Sequence, residues 1–252
     1  MAKQSGTSPL RGTIGNTTYS KTRNGYIARA KSSLEKAAMD ANPRFQALRD
    51  QTVEFTRALK AGKLVNNAFS EILKNAKDNR MNNRLSSLFN KVVKLDLVNP
   101  RGKRNVLDGE LELLTGFEFN ERASLSSTLS VSPEVSINRA SGEVTLEIAS
   151  LVPSEALKYP QNATHFKISM AAAALDFEKG EKEAKLAEDV FREIGREAIL
   201  GTSLTVTLSP GGNLPVLVVC KLVFATAING IMEAAGGGTF TACTVVKTDT
   251  GV

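Results

Sequence analysis

The chain carries a single histidine, His165, set in Thr164-His165-Phe166-Lys167-Ile168, whose alternation reads as a strand. A general base needs its ring within hydrogen-bond reach of a nucleophile, and no Gly-x-Ser-x-Gly elbow surrounds any serine. Cys220 and Cys243 lie in apolar alternating segments, where a thiol packs as a small hydrophobe. One His and two Cys are too few for multi-His or four-Cys metal centres, and they form no disulfide framework. Gly12-Thr13-Ile14-Gly15-Asn16 lacks the Gly-Lys-Ser/Thr ending of a phosphate loop, and no helical pattern follows Gly236-Gly237-Gly238, so both read as turns.

Carboxylates crowd at Asp176, Glu178, Glu181 and Glu183, and again at Glu188, Asp189, Glu193 and Glu197. Lys179, Lys182, Lys185, Arg192 and Arg196 interleave with them. Glycoside hydrolysis needs two carboxylates opposed across a cleft, and a calcium loop needs regularly spaced aspartates with a glycine. The interleaving describes a solvated face instead. Catalytic residues, cofactor and metal are therefore all read as none, and the expectation is a non-enzymatic protein without a small-molecule substrate.

The basic residues give the sharper signal. Lys3, Arg11, Lys21, Arg23, Arg29 and Lys31 line the amino end, with Tyr19 and Tyr26 among them. Arg44, Arg49, Arg57, Lys60 and Lys63 follow on a helical stretch, and Arg101, Lys103 and Arg104 cluster after it. The net charge of +6 conceals a division: residues 1–106 hold 21 Lys and Arg against 7 Asp and Glu, and residues 107–252 hold 11 against 19. The front is +14 and the back −8. Two readings compete. In one, the basic half neutralises the phosphates of a nucleic acid, with steep salt dependence. In the other, it meets the acidic half of a neighbouring copy, a head-to-tail contact that propagates as a ring or filament. The second accounts for both signs and is preferred.

Three kinds of element must position these charges. Residues 8–31 read as an antiparallel meander, since Gly15-Asn16 and Asn24-Gly25 are turn dipeptides. A ribbon with so few large apolar residues is marginal alone and must dock on something larger. Asn42-Pro43 is a helix start, and Phe45, Leu48, Thr52, Phe55 and Leu59 then form an apolar stripe. Gly62 is expected to interrupt that helix, with a second helix over residues 64–76 and a third from Met81 to Val93, together a small bundle. After Asn105 the period becomes that of strands, at residues 111–119, 125–131, 135–138, 143–148, 165–171, 204–208, 216–227 and 240–246. Residues 178–201 carry Ala184, Ala187, Phe191 and Ile194 at helical spacing and are assigned a short helix.

The expected fold class is α+β. It comprises a β-ribbon arm over residues 1–33, a basic helical segment over 34–106, and an antiparallel β-sandwich of jelly-roll or Ig-like kind over 107–252. The amino end lacks the apolar core of a secretory signal. The longest apolar stretch, residues 214–227, falls short of the roughly 20 residues that span a bilayer. A cytoplasmic protein with no membrane segment is expected, released in an extracellular particle on lysis.

Several of these residues also form a pattern. Gly12, Ile14, Gly15, Asn16, Tyr19, Lys21, Gly25, Tyr26 and Arg29 are followed by Phe55-Thr56-Arg57-Ala58, Lys60-Ala61-Gly62-Lys63 and Asn99-Pro100-Arg101-Gly102-Lys103-Arg104. With the strand–Asn229-Gly230–strand unit near the carboxyl end, this resembles a family of uncharacterised proteins common in Bacteroidetes and their phages or prophages. Residues 178–201 depart from the family pattern. The resemblance implies a genetic setting near mobile elements and supplies no catalytic residues. It suits a structural, self-assembling virion, tail or filament component, with a nucleic-acid-binding or packaging protein as the alternative.

Overall fold

A computed structural model describes residues 2–4, 8–31 and 36–251. The boundary expected at residue 33 lies outside the described residues. The chain forms two compact units, residues 1–49 and 50–252. The expected boundary at residue 106 thus falls inside the second unit, where helices and strands share one core.

The first unit holds β1 (Ala2–Lys3), β2 (Gly12–Ile14), β3 (Thr17–Thr22) and β4 (Gly25–Ala30), an antiparallel sheet in the order β1-β4-β3-β2. Gly15 and Gly25 adopt positive φ (57° and 110°) at its turns, which glycine does without steric cost. α1 (Lys36–Ala41) follows. Asn42 then caps a short 3-10 turn, accepting the Arg44 amide with Pro43 at the first position, and α2 (Gln46–Ala68) begins.

α2 runs through Gly62 without a break, contrary to the expected interruption. An added Cβ at Gly62 would meet Ser86, Leu85 and Phe89 at 3.4–3.7 Å, so the residue sits close against the next helix, α3 (Met81–Lys94). One glycine costs a helix about 1 kcal/mol, and packing of this kind overrides it. The expected second helix over residues 64–76 is the last turn of α2 followed by non-helical turns. Lys182 caps the Asn67 carbonyl, and Lys221 Nζ donates to the Lys74 carbonyl at 2.9 Å. Both lysines come from the sheet and supply positive charge where α2 and the turns after it leave carbonyls unpaired.

Residues 111–114 form a 3-10 turn, and residues 125–128 form α4 (Leu125–Thr128), although both stretches read as strands. Ser124 explains the second case: its hydroxyl accepts the Ser127 amide and starts a helical turn. β5 (Glu134–Asn138), β6 (Glu143–Ile148), α5 (Pro153–Ala156), β7 (His165–Asp176), β8 (Glu181–Glu188), β9 (Arg192–Glu193), β10 (Thr202–Thr207), β11 (Val216–Ile228), β12 (Ile231–Ala234) and β13 (Ala242–Asp249) complete the chain. β8 and β9 occupy the segment assigned a helix. β8 pairs with β7 along its full length, placing Leu186 beside Ala171 on a buried face, and this strand pairing outweighs the helical spacing of its alanines.

Two antiparallel sheets result: β10-β6-β5, and a larger one in which β11 and β7 are central. Both faces of the larger sheet are buried along its central strands, β7 and β11. Ala171, Ala173 and Leu175 of β7 with Leu217 and Val219 of β11 pack with Ala58, Val65, Leu85 and Phe89 of the helices. Phe166, Ile168, Met170, Val218, Cys220 and Leu222 pack with Val144, Leu146, Leu204 and Val206 of the smaller sheet. The fold is thus α+β with antiparallel sheets, and two-sided burial explains why β7 and β11 are almost continuously apolar.

Candidate assembly surfaces

Register divides the side chains of the first unit's sheet between two faces. Thr17 pairs Ala30, Tyr19 pairs Ala28 and Lys21 pairs Tyr26, so Tyr19, Lys21 and Tyr26 share one face. Ile14, opposite Thr17, joins them and is 58% exposed. Thr13, Thr18, Ser20, Ile27 and Arg29 take the other face, with Lys3 opposite Ile27. On the tyrosine face, Arg11 and Lys21 each lie 5.7 Å from the centre of the Tyr26 ring. Two cations on one aromatic ring form a pre-set basic surface, and Arg11, Tyr19 and Lys21 also border a shallow groove. Among the described residues of this unit none is buried.

The other sequence-predicted contact residues separate into different roles. Arg23 lies at the β3–β4 turn and Lys31 follows β4, both exposed; Arg44 is exposed in the 3-10 turn. Arg49 donates to the carbonyls of Met39 and Asn42 and to Gln46 Oε1, which holds the helix start together. Arg57 donates to the carbonyls of Gly102 (3.1 Å) and Arg104 (2.6 Å) and is a structural clamp. Lys60, Lys63, Arg101 and Lys103 are exposed, and Arg104 is half-buried.

That clamp belongs to a loop held from several sides. Glu54, 4% exposed, accepts the Gly102 amide at 2.7 Å. Asp96, fully buried, accepts the amides of Val98, Asn99 and Asn105 and the Asn99 side chain, each at 2.9 Å. Burial alone would raise its carboxyl pKa, but these hydrogen bonds outweigh burial and hold it at about 2. The Asn99-Pro100-Arg101-Gly102 run that follows α3 is thus tied to α2 by Glu54 and to its own flanks by Asp96. The anchoring by Glu54 and Asp96 has no signal in the sequence, because the partners lie 48 residues apart or within an irregular loop.

Among the described residues, the remaining reactive groups have the following partners. His165 Nδ1 hydrogen-bonds the Thr164 hydroxyl at 2.8 Å. Burial pushes the Cys220 thiol up to about 12 and raises that of Cys243 further, and both are free thiols. Several of the interleaved carboxylates have local partners: Glu188 pairs Lys167, Asp189 pairs Arg192, and Asp176 and Glu183 accept backbone amides. Among the described residues, no group of three or more acidic, His or Cys side chains is arranged to hold a metal ion. Nor, among them, is any helix long and apolar enough to cross a membrane.

The chain matches no protein-family model and no curated protein. It is similar to part of a solved structure, Spo0M, a sporulation control protein from Bacillus subtilis, at 18% identity with a TM-score of 0.16. The likeness covers 40% of this chain and 45% of that chain, and at such a TM-score it carries no argument about fold or function.

Proposed function

We propose that this chain is a non-enzymatic structural protein that self-assembles, with its N-terminal sheet as the connecting arm. One observation carries the reading: the sheet β1-β4-β3-β2 has no buried side chain among the described residues, yet exposes Ile14 and presents Tyr19 and Tyr26 on one face. A small sheet without a core gains too little from burial to offset the entropy of ordering it, and docking against another surface supplies the difference. The short edge strands β1 and β2 also leave backbone groups open to strand addition. In this reading the two sheets of the second unit form a β-sandwich body, and copies join head to tail as a ring or filament. A phage- or prophage-derived virion, tail or filament component is the setting that suits such a subunit.

A second reading, a nucleic-acid-binding or packaging protein, draws on the same face, since tyrosines beside Arg11 and Lys21 could stack bases and neutralise phosphates. Light scattering separates the two. The full chain, taken through micromolar concentrations in low and high salt, is expected to grow in mass with concentration and to shrink with salt. A monomer throughout refutes self-assembly, and salt-sensitive retention of an oligonucleotide by that monomer would establish the second reading.

A further inference from the structure

The exposed face of the β10-β6-β5 sheet is built to an unusual rule. Register aligns Glu134, Glu147 and Ser203 in one row, Ser136, Thr145 and Thr205 in the next, and Asn138, Glu143 and Thr207 in the third. Each of these residues alternates with an inward apolar neighbour such as Val135, Leu146 or Leu204. The outward rows therefore contain hydroxyls, one amide and three carboxylates, with no cation and no apolar side chain. The Thr145 and Thr205 hydroxyls bond each other at 3.0 Å across the middle row. Glu134 stands directly opposite Glu147, and like charges so placed destabilise a strand pair. Among the described residues none of the three carboxylates has an ion-pair partner. Some exposed acids elsewhere on the second unit are paired, as Glu188 is with Lys167; on this face three carboxylates unpaired among the described residues lie together without a cation.

The first unit carries the converse surface. On its tyrosine face Arg11 and Lys21 flank Tyr26, and among the described residues neither has a carboxylate partner. Both surfaces are sheets of similar extent, one bearing unmatched cations and the other unmatched carboxylates. We propose that the Glu134, Glu143 and Glu147 face of one copy receives the Tyr19, Lys21 and Tyr26 face of the N-terminal sheet of a second copy. The inference rests on the self-assembly reading and names its two surfaces. Sheet packing brings cations over the Glu134–Glu147 pair and relieves its repulsion, while the tyrosine hydroxyls meet the Ser and Thr rows. Strand spacing gives such a face only about 250 Å², well below the roughly 800 Å² per partner of a standard stable interface. The contact is accordingly weak singly and accumulates when every copy uses both of its faces.

Charge exchange tests this on the full chain. One variant carries Glu134→Lys and Glu147→Lys, the other Arg11→Glu and Lys21→Glu. All four sites are exposed, and circular dichroism with thermal melting confirms that each variant is folded; Glu→Gln and Lys→Gln versions replace any that is not. By sedimentation velocity at low salt, each variant alone is expected to self-associate at least about tenfold more weakly than wild type, because its two faces then repel. Mixing the two restores assembly, because each presents the complement of the other. If wild type assembles and both variants assemble equally well, or if the mixture stays dissociated, the pairing of these faces is overturned and self-assembly stands. If wild type is monomeric under all conditions, the self-assembly reading itself falls.

Discussion

The carboxylate of Glu54 accepts the backbone amide of Gly102 at 2.7 Å, joining α2 to a loop 48 residues further along the chain. Glu54 is 4% exposed and Gly102 is half-buried, so the carboxylate has little access to water to replace this bond. An added Cβ at Gly102, whose φ is 86°, would lie 2.7 Å from Asp50, so the loop approaches the helix as closely as glycine allows. Glu54→Ala is expected to destabilise the protein by about 1–2 kcal/mol, toward the lower part of the range for stranding a donor, since the Gly102 amide is half-buried. Glu54→Gln, which keeps an acceptor, should lose less. Urea denaturation of both variants measures the difference, and equal losses would show that the Gly102 bond is not what Glu54 provides.

Asp96 ties the same loop and gives it a pH signature. Its carboxyl is held at about 2, below the ordinary 3.8, so the ionised form favours the folded state. The stabilisation is therefore complete above pH ~4 and is lost as pH falls through about 2. Between those limits the denaturation midpoint of wild type should fall more steeply than that of Asp96→Asn, which cannot titrate at this site. Parallel curves for the two proteins would contradict the assignment.

Gly62 was legible only as a helix breaker, because glycine's propensity is a local quantity and the neighbour that overrides it, Leu85-Ser86-Phe89 of α3, is distant in sequence. An alanine methyl would make ordinary van der Waals contact there, so Gly62→Ala should raise stability by about 0.5–1 kcal/mol through helix propensity. Gly62→Val, bulkier toward α3, should lower it. In thermal melts, a gain for Gly62→Val as well would mean that the α2–α3 approach is looser than described, and a loss for Gly62→Ala that it is tighter.

Cys220 and Cys243 project into opposite buried layers of the larger sheet, and burial raises both thiol pKa values. Neither is expected to react with a thiol reagent in the native protein at neutral pH, whereas both should react together once guanidinium unfolds the chain. Rapid modification of one thiol in the native state would show that its layer opens independently.

What the sequence discloses follows from the range of the forces involved. The Asn42-Pro43 helix start and the Gly15-Asn16 turn are short-range features and are found where the residues place them, whereas the turn expected at Asn24-Gly25 falls one residue earlier, at Arg23-Asn24, with Gly25 paired to Thr22. The apolar stripe Leu48, Phe55 and Leu59 was equally visible, but it marks the wrong face: each is more than 40% exposed, while α2 buries Ala58, Ala61, Leu64 and Val65. Small residues that allow close packing outrank large ones here, and no local pattern says so. Residues 181–188 read as helix because their alanines fall at helical spacing, whereas pairing with β7 decides the matter from across the sheet. The wet and buried alternation of β5 and β10 was plain in the sequence. That their wet sides align with β6 into a cation-free array was not, because it depends on register between strands.

The most direct test of the arm as the assembling element is amide hydrogen exchange over residues 12–30 of the full chain, followed from submicromolar to high micromolar concentration. Docking of the N-terminal sheet on a second copy predicts that protection in β2, β3 and β4 rises with concentration, by at least about tenfold, while protection in β7 and β11 stays constant. Exchange in β2, β3 and β4 that is independent of concentration would contradict the account.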